Sequence, residues 1–412
     1  METIAPESNL QSPPSSEPVA RVVLQPRKAR PFFGRHPWVL ESAIHRVEGS
    51  PADGDVVDLF SDKGQFVARG IFNSRSRIRV RLYSWSTGDT LDDRFWRARL
   101  TTAAALRTQM GVDQPRLAAR LVSSEGDGLG GLVVERYGEH LVVQVTSLAM
   151  HARLPQLVPM IAEQWPAKSI SLRVDREMNK AEGLKLEEAT LVGEAPSGPV
   201  FFEEHGIRYG VDLHGGQKTG FFLDQRDNRK AAAVWAKGRR VLDVCCYTGG
   251  FALAASILGG AREVHGIDSS AKAIAMARAN AELNSVANVH FDEVDCFQRL
   301  DLLAQQRERF GLVVLDPPKF ARSRQHVEEA MRAYHHLNRS AVELLEPGGI
   351  LVTCSCSGHV GRDDFLFTIA EVAERTGRNI QVLEIRGAAA DHPVSASCLE
   401  TEYLKCLICR VS

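Results

Sequence analysis

Two short motifs carry residue types that can do chemistry together: Thr353-Cys-Ser-Cys-Ser-Gly358 and Asp316-Pro-Pro-Lys-Phe320. Each follows an apolar run, residues 350–354 and 312–315, that reads as a buried strand. A cysteine and an acid held past the ends of neighbouring strands suit methylation of a pyrimidine at carbon 5. That carbon is a poor nucleophile. A thiolate adding to carbon 6 makes it enamine-like, and an acid at N3 supports the addition with a proton or a hydrogen bond. Carbon 5 can then attack a sulfonium methyl; loss of its proton and of the thiol releases the product. Cys356 and Asp316 are the candidate catalytic pair. Cys354 shares period-2 parity with Val352 and Ile350, so it is expected to pack in the core. Cys356 lies past the apolar run, beside Ser357 and Gly358, where exposure is expected. Pro317 and Pro318 cannot continue a helix or a central strand, so they rigidify the loop that holds the acid. Alone, the Asp-Pro-Pro loop also suits methylation of an exocyclic amino group, a reaction that needs no cysteine.

A sulfonium methyl implies S-adenosylmethionine, and three acids match its needs in order. Val241-Leu-Asp-Val-Cys-Cys-Tyr-Thr-Gly-Gly-Phe251 reads as a strand, a tight turn and a helix start, with Gly249 and Gly250 allowing close backbone approach. It is not G-x-G-x-x-G, so a dinucleotide phosphate cradle is poorly supported. Asp243 would face the cationic amino group, because an acid there would repel a pyrophosphate. Asp268 ends the next strand, where carboxylates accept ribose hydroxyls. Asp295 follows residues 289–293 and can accept from an adenine amino group. Any one of these acids reads equally well as a helix N-cap; the ordered trio is what points to the cofactor. Tyr247, Thr248, Gly249 and Gly250 complete the expected cofactor loop.

The elements that must position these groups form a third segment, residues 201–412. There, strands at 240–244, 263–267, 289–293, 312–315, 350–354, 381–385 and 402–409 alternate with helices such as 271–283 and 325–345. Strands with crossover helices imply an α/β fold with a doubly wound, mostly parallel Rossmann-like sheet. Residues 21–95 hold short strands at 22–24, 56–60, 66–71 and 78–83, separated by turn signals, and read as a small β-barrel. Residues 96–200 read as a mixed α/β linking domain, with helices at 95–110 and 154–164 and strands at 131–136, 140–146 and 169–174. Residues 1–20, rich in Ser, Pro and Glu, read as a disordered lead-in and not a signal peptide.

At 412 residues the chain exceeds one hydrophobic core, and no run approaches the ~20 apolar residues of a membrane span. The net charge of −1 neither favours nor excludes nucleic acid, but residues 21–100 carry 15 Lys/Arg against 9 Asp/Glu. Arg75, Arg77, Arg79 and Arg81 alternate, which along a strand would put all four on one phosphate-binding face. All eight cysteines follow residue 240, and with no export signal the cytoplasm is expected, without disulfides. Cys245 and Cys246 read as packing residues. Cys406-x-x-Cys409 lies in an apolar strand with no matching pair, so no metal is expected.

Taken together, these residues resemble the bacterial rRNA large subunit methyltransferase I family, which makes 5-methylcytosine in 23S rRNA. The resemblance runs from about residue 21 to the end. It includes Arg35-His-Pro-Trp-Val39, Glu203-Glu-His-Gly206, Gln217-Lys-Thr-Gly-Phe-Phe-Leu-Asp-Gln-Arg226, Tyr247-Thr-Gly-Gly-Phe251, the two motifs above and Asp391-His-Pro393. It implies a PUA-like RNA-binding barrel, a linking domain and a Rossmann-like methyltransferase domain. It also implies a cofactor flap at residues 218–226, with Thr219, Phe221 and Gln225 on S-adenosylmethionine. Asp316 would recognise the base beside the cofactor, Cys356 would be the nucleophile and Lys319 would contact RNA. The partner implied is 23S ribosomal RNA, with no membrane and no metal, and a homodimer left open. RNA cytosine methyltransferases of another group carry a second cysteine in the Asp-Pro loop. Here Pro318 and Lys319 occupy that region, so the group that removes the carbon 5 proton is unassigned. His392, on the loop before the last strand, is a candidate, with a structural hydrogen-bonding role as its alternative. A non-catalytic RNA-binding assembly factor is the rival outside enzymology; the intact acid trio and Cys356 argue against it.

Overall fold

The computed structural model describes residues 19–213, 220–321 and 323–412. The expected lead-in, as far as residue 18, and Lys218 and Thr219 of the expected flap lie outside the described residues. Residues up to Leu91 form one compact unit and Asp92–Ser412 a second. No helix among the described residues is long and apolar enough to cross a membrane.

The first unit is a six-stranded sheet around one apolar core that includes Val22, Leu24, Val39, Val57, Leu59, Val80 and Leu82. Here the expected arginine face fails. The strand Ile78–Ser84 begins after Arg75 and Arg77, which lie in the preceding turn. Arg75 pairs with Asp53 at 3.4 Å, and Arg79 pairs with Glu41 at 2.6 Å. Arg81 is buried, opposite Trp38 in the sheet register and 5.8 Å from its ring centroid. Both faces of this strand are covered from Val80 onward, so alternation places Arg81 against an aromatic ring and not in water. Arg77 remains exposed.

In the second unit, the helix Asp93–Met110 starts at Asp92, whose side chain accepts from the Phe95 N–H at 3.0 Å. A five-stranded sheet follows, in the order Ala189–Gly193, Ser169–Arg173, His140–Val145, Leu132–Tyr137, Ala118–Ser123. A two-stranded hairpin, Val200–Glu204 with Ile207–Val211, comes next, and the sequence reading had no strands there.

The last sheet has seven strands: β1 Arg240–Val244, β2 Glu263–Asp268, β3 Val289–Glu293, β4 Phe310–Leu315, β5 Leu345–Ser355, β6 Ile380–Arg386 and β7 Lys405–Val411. Their order is β3-β2-β1-β4-β5-β7-β6. The pairs among β1 to β5 are parallel, while β7 runs antiparallel between β5 and β6. Both faces of the central strands are covered. Leu312 and Val314 of β4 enter one core, and Val313 and Leu315 the other, which is why β4 reads as an unbroken apolar run. Period 2 likewise sends Cys406 of β7 to one core and Cys409 to the other, so the two thiols do not share a face. Chain order reverses at β1, between β2 and β4, and ligands of such sheets bind at that crevice.

Candidate active site

A cavity of about 850 Å³ opens at the carboxyl ends of these strands, within the range of small-molecule sites. Asp268, Asp295, Asp316, Cys356, Tyr247, Thr248, Gly250, Phe221, Gln225 and Lys319, all expected at the site, line it. Gly249 and Asp243 do not.

The loop after β1 turns sharply, with φ of 62° at Cys245, 49° at Tyr247 and 84° at Gly249. Gly249 and Gly250 answer to packing: a Cβ on the first would lie 2.8 Å from the Phe291 ring, and on the second 2.9 Å from Arg229 Cδ. Asp243 is fully buried beneath this loop, where its Oδ2 accepts from the Ala252 N–H at 2.9 Å. Burial pushes its carboxyl well above the ordinary value. It braces the helix Gly250–Ile257 and is not among the lining residues, so the expected contact with the amino group is not direct in this structure, while its Oδ1 has no hydrogen-bond partner among the described residues.

Asp268 ends β2; one oxygen accepts from the Tyr247 N–H at 3.0 Å and the other from the Ser270 N–H at 2.9 Å. Asp295 caps the helix Cys296–Gln305 through the Gln298 N–H at 3.1 Å while also lining the cavity. For Asp295 the capping and cavity-lining readings thus coexist.

Asp316 follows β4, and its Oδ1 accepts from Gln225 Nε2 at 2.9 Å. Gln225 Oε1 in turn accepts from Asn228, and Asn228 Oδ1 from Arg386. This relay fixes the amide with its NH₂ toward the acid. Cys356 follows β5, in parallel register with β4, and its Sγ lies 4.0 Å from the Pro317 carbonyl oxygen. Cys354 is fully buried. Tyr334 ties the cysteine loop in place: its hydroxyl meets Ser355 Oγ at 3.0 Å and Ser357 Oγ at 3.1 Å. Ser357 Oγ also accepts from the Ala321 N–H at 3.2 Å, which joins the loops that carry Asp316 and Cys356.

Phe221 lies 4.5 Å beneath the Arg229 guanidinium, which forms a two-point ion pair with Glu204 of the hairpin. Tyr247 donates to the Gly220 carbonyl at 3.2 Å. Arg229, Tyr334, Tyr403 and Lys405 were missed in the sequence because no motif spacing marks them, and Asp224, though inside the motif of residues 217–226, was not singled out. Asp224 accepts from the Tyr403 hydroxyl at 2.6 Å. Its Oδ1 and the Thr248 Oγ1, both buried, have no hydrogen-bond partner among the described residues. His392 is buried, bonded through Nδ1 to Asp391 at 2.9 Å, and is not a lining residue. The structural role fits it and the proton-acceptor role does not.

A cavity lined by Asp224, Asp268, Asp295 and Asp316 suits a cationic ligand with ammonium, ribose and amino donors. The family model for S-adenosylmethionine-dependent methyltransferases matches residues 189–397, and that for PUA-like domains matches residues 22–85. Ribosomal RNA large subunit methyltransferase I of Aeromonas hydrophila subsp. hydrophila is 39% identical over 394 residues, covering 95% of this chain and 99% of that one. The protein of the same name from Erwinia tasmaniensis is 37% identical over 393 residues, with the same coverage. A Streptococcus mutans protein described as a SAM-dependent methyltransferase superposes with a TM-score of 0.80 at 20% identity, covering 95% of this chain and 99% of that one. A methyltransferase-like structure solved with SAH gives 0.81 at 22% identity, with the same coverage. At those identities the two structures speak for the fold.

Proposed function

The chain belongs to the ribosomal RNA large subunit methyltransferase I family of S-adenosylmethionine-dependent methyltransferases, and from that premise we propose that it methylates carbon 5 of a cytosine in 23S ribosomal RNA. The observation that carries the reading is the pairing of Cys356 and Asp316 on one cavity, at the ends of adjacent parallel strands. S-adenosylmethionine supplies an electrophilic methyl group. Asp268 would accept its ribose hydroxyls and Asp295 its adenine amino group, while the unsatisfied oxygens of Asp224 and Thr248 offer further acceptors.

The Cys356 thiolate adds to carbon 6, forming a carbon–sulfur bond, and Asp316, protonated once the base is bound, donates a hydrogen bond to N3 that stabilises the negative charge spreading over the ring. Carbon 5 takes the methyl group. A solvent base takes its proton, the electron pair of that C–H bond re-forms the carbon 5–carbon 6 double bond, the carbon–sulfur bond breaks and the thiolate returns. Gln225 holds Asp316 throughout. Lys319, exposed on the cavity rim, and Arg75 and Arg77 in the first unit are the side chains we assign to phosphate contact.

The test is nucleoside mass spectrometry of ribosomal RNA methylated by the wild type, Cys356→Ala and Cys354→Ala. Cys356→Ala should abolish 5-methylcytosine and keep cofactor affinity. Cys354→Ala should stay active, with a stability loss from the smaller buried side chain. RNA carrying 5-fluorocytosine should trap the wild type as an adduct at Cys356 only when S-adenosylmethionine is present, because fluorine cannot leave as a cation. Methylation by Cys356→Ala, with an N-methylated base as product, would replace this reading with exocyclic-amino transfer.

A further inference from the structure

We propose that Lys405 is a positioning residue for the Cys356 thiol, a buried cation that favours the thiolate. The proposal rests on the reading of Cys356 as the nucleophile. Lys405 opens β7 in register with Ser355, the residue before Cys356. It is 2% exposed, an unusual place for a lysine. Its Nζ donates to the carbonyl of Ser357, the residue after Cys356, at 2.7 Å and to that of Tyr403 at 2.8 Å. The ammonium is therefore tied to the turn that carries the thiol, and both hydrogen bonds go to neutral oxygens.

A buried ammonium is costly unless a negative charge compensates it. Burial pushes Lys405 down to about 8, while Cys356 acts on it as the largest stabilising charge, ahead of Glu402 and Asp364; Lys319 opposes. The attraction is mutual, so the same cation lowers the cost of ionising Cys356. The charged or titratable neighbours are Asp316 and Lys319 from the loop after β4, Tyr334 from the helix Val327–Leu344, Asp364 from the helix Arg362–Thr376, and Glu402 and Tyr403 ahead of β7. Asp316 carries the sign that disfavours a thiolate, and Lys405 offsets it.

The experiment reads the thiol directly, in the full-length protein without RNA. Iodoacetamide alkylation of Cys356 is followed by peptide mass spectrometry from pH 6 to 10 in wild type, Lys405→Met and Lys405→Arg. In the wild type the midpoint should lie below the ordinary thiol value of about 8.5. Lys405→Met should raise it by about one unit, roughly tenfold less alkylation at neutral pH, with cofactor affinity unchanged. Lys405→Arg, which keeps the charge, should restore it. A wild-type midpoint at or above about 8.5 overturns the proposal even if Lys405→Met fails to fold. So does an unshifted midpoint in a folded Lys405→Met. The product reading fails on a different result, methylation by Cys356→Ala, so the two are separable.

Discussion

Gln225 was expected on the cofactor, yet its amide donates to Asp316 and is itself oriented by Asn228 and Arg386. A hydrogen bond to a charged group contributes about 1.5–3 kcal/mol. Gln225→Leu should therefore cut turnover about tenfold or more, with a smaller effect on cofactor affinity measured by calorimetry. Unchanged turnover would mean that Asp316 is held without it. Asp268→Asn keeps an acceptor for only one of its two backbone N–H partners, Tyr247 and Ser270, and loses the charge offered to the ribose. Its affinity for S-adenosylmethionine should fall about tenfold with a modest drop in melting temperature from the lost backbone bond, and equal affinity in the folded variant would take Asp268 out of the site. Of these residues, Cys354 and Cys356 were separable in the sequence, because Cys354 falls inside the apolar run of residues 350–354 and Cys356 falls beyond its end. Asp243 was not separable from Asp268 and Asp295. Its depth follows from the left-handed turns at Cys245, Tyr247 and Gly249, which fold the loop over it and which no spacing rule reveals.

Among the elements, the loop that carries Asp391 works as a joint. The Asp391 carboxylate is fully buried and accepts from Arg226 at 2.8 and 3.0 Å, from the Arg120 N–H at 3.0 Å and from His392 at 2.9 Å. Its carbonyl accepts from Arg107 at 2.8 Å. The strand Ala118–Ser123, the helix Asp93–Met110, the helix Arg226–Ala233 and the loop before β7 thus meet at one residue. Burial alone would raise its carboxyl, but His392, by hydrogen bond and charge, and then Arg226 hold it well below the usual carboxylate range. A depressed folded value adds stability above the unfolded value of about 3.9 and loses it as pH falls toward the folded one. Asp391→Asn should lower the melting temperature most at neutral pH, since breaking a buried pair costs about 3–5 kcal/mol. The gap to wild type should narrow below about pH 4; a gap independent of pH would deny the acid this role. The strand and helix sequence of the methyltransferase domain was legible because its central strands, such as β1, β4 and β5, are buried on both faces and its helices cross over between them. The hairpin at Val200–Val211 was not legible. Its turn has φ of 50° at His205 and 81° at Gly206, and histidine lacks the Asn-Gly or Asp-Gly signature that usually announces such a turn. The arginine stripe misled because its period outran the strand, which starts only at Ile78.

At the scale of the whole chain, the two units divide the labour we assign. Every residue that lines the cavity lies between Asp175 and Leu404, inside the second unit, so cofactor binding should need nothing from the first. The first unit, matched by the PUA-like family model, spans a stretch with an excess of Lys and Arg over Asp and Glu. A chain beginning at Asp92 keeps the side chain that caps the helix Asp93–Met110. One beginning at residue 96 loses that cap, at a cost of about 0.5–2 kcal/mol. The longer truncated chain should therefore melt higher than the shorter, and both should bind S-adenosylmethionine as the full chain does. Both should bind ribosomal RNA fragments more weakly. The logarithm of that affinity should also fall less steeply with the logarithm of salt concentration, because fewer phosphates are neutralised and fewer counterions released. Arg77→Ala in the full chain should reproduce part of the slope change, and Arg81→Ala none of it, because Arg81 is buried against Trp38 and Arg77 is exposed. Equal affinity and equal salt slope for full and truncated chains would remove RNA binding from the first unit and leave it to the rim of the catalytic cavity, where Lys319 stands.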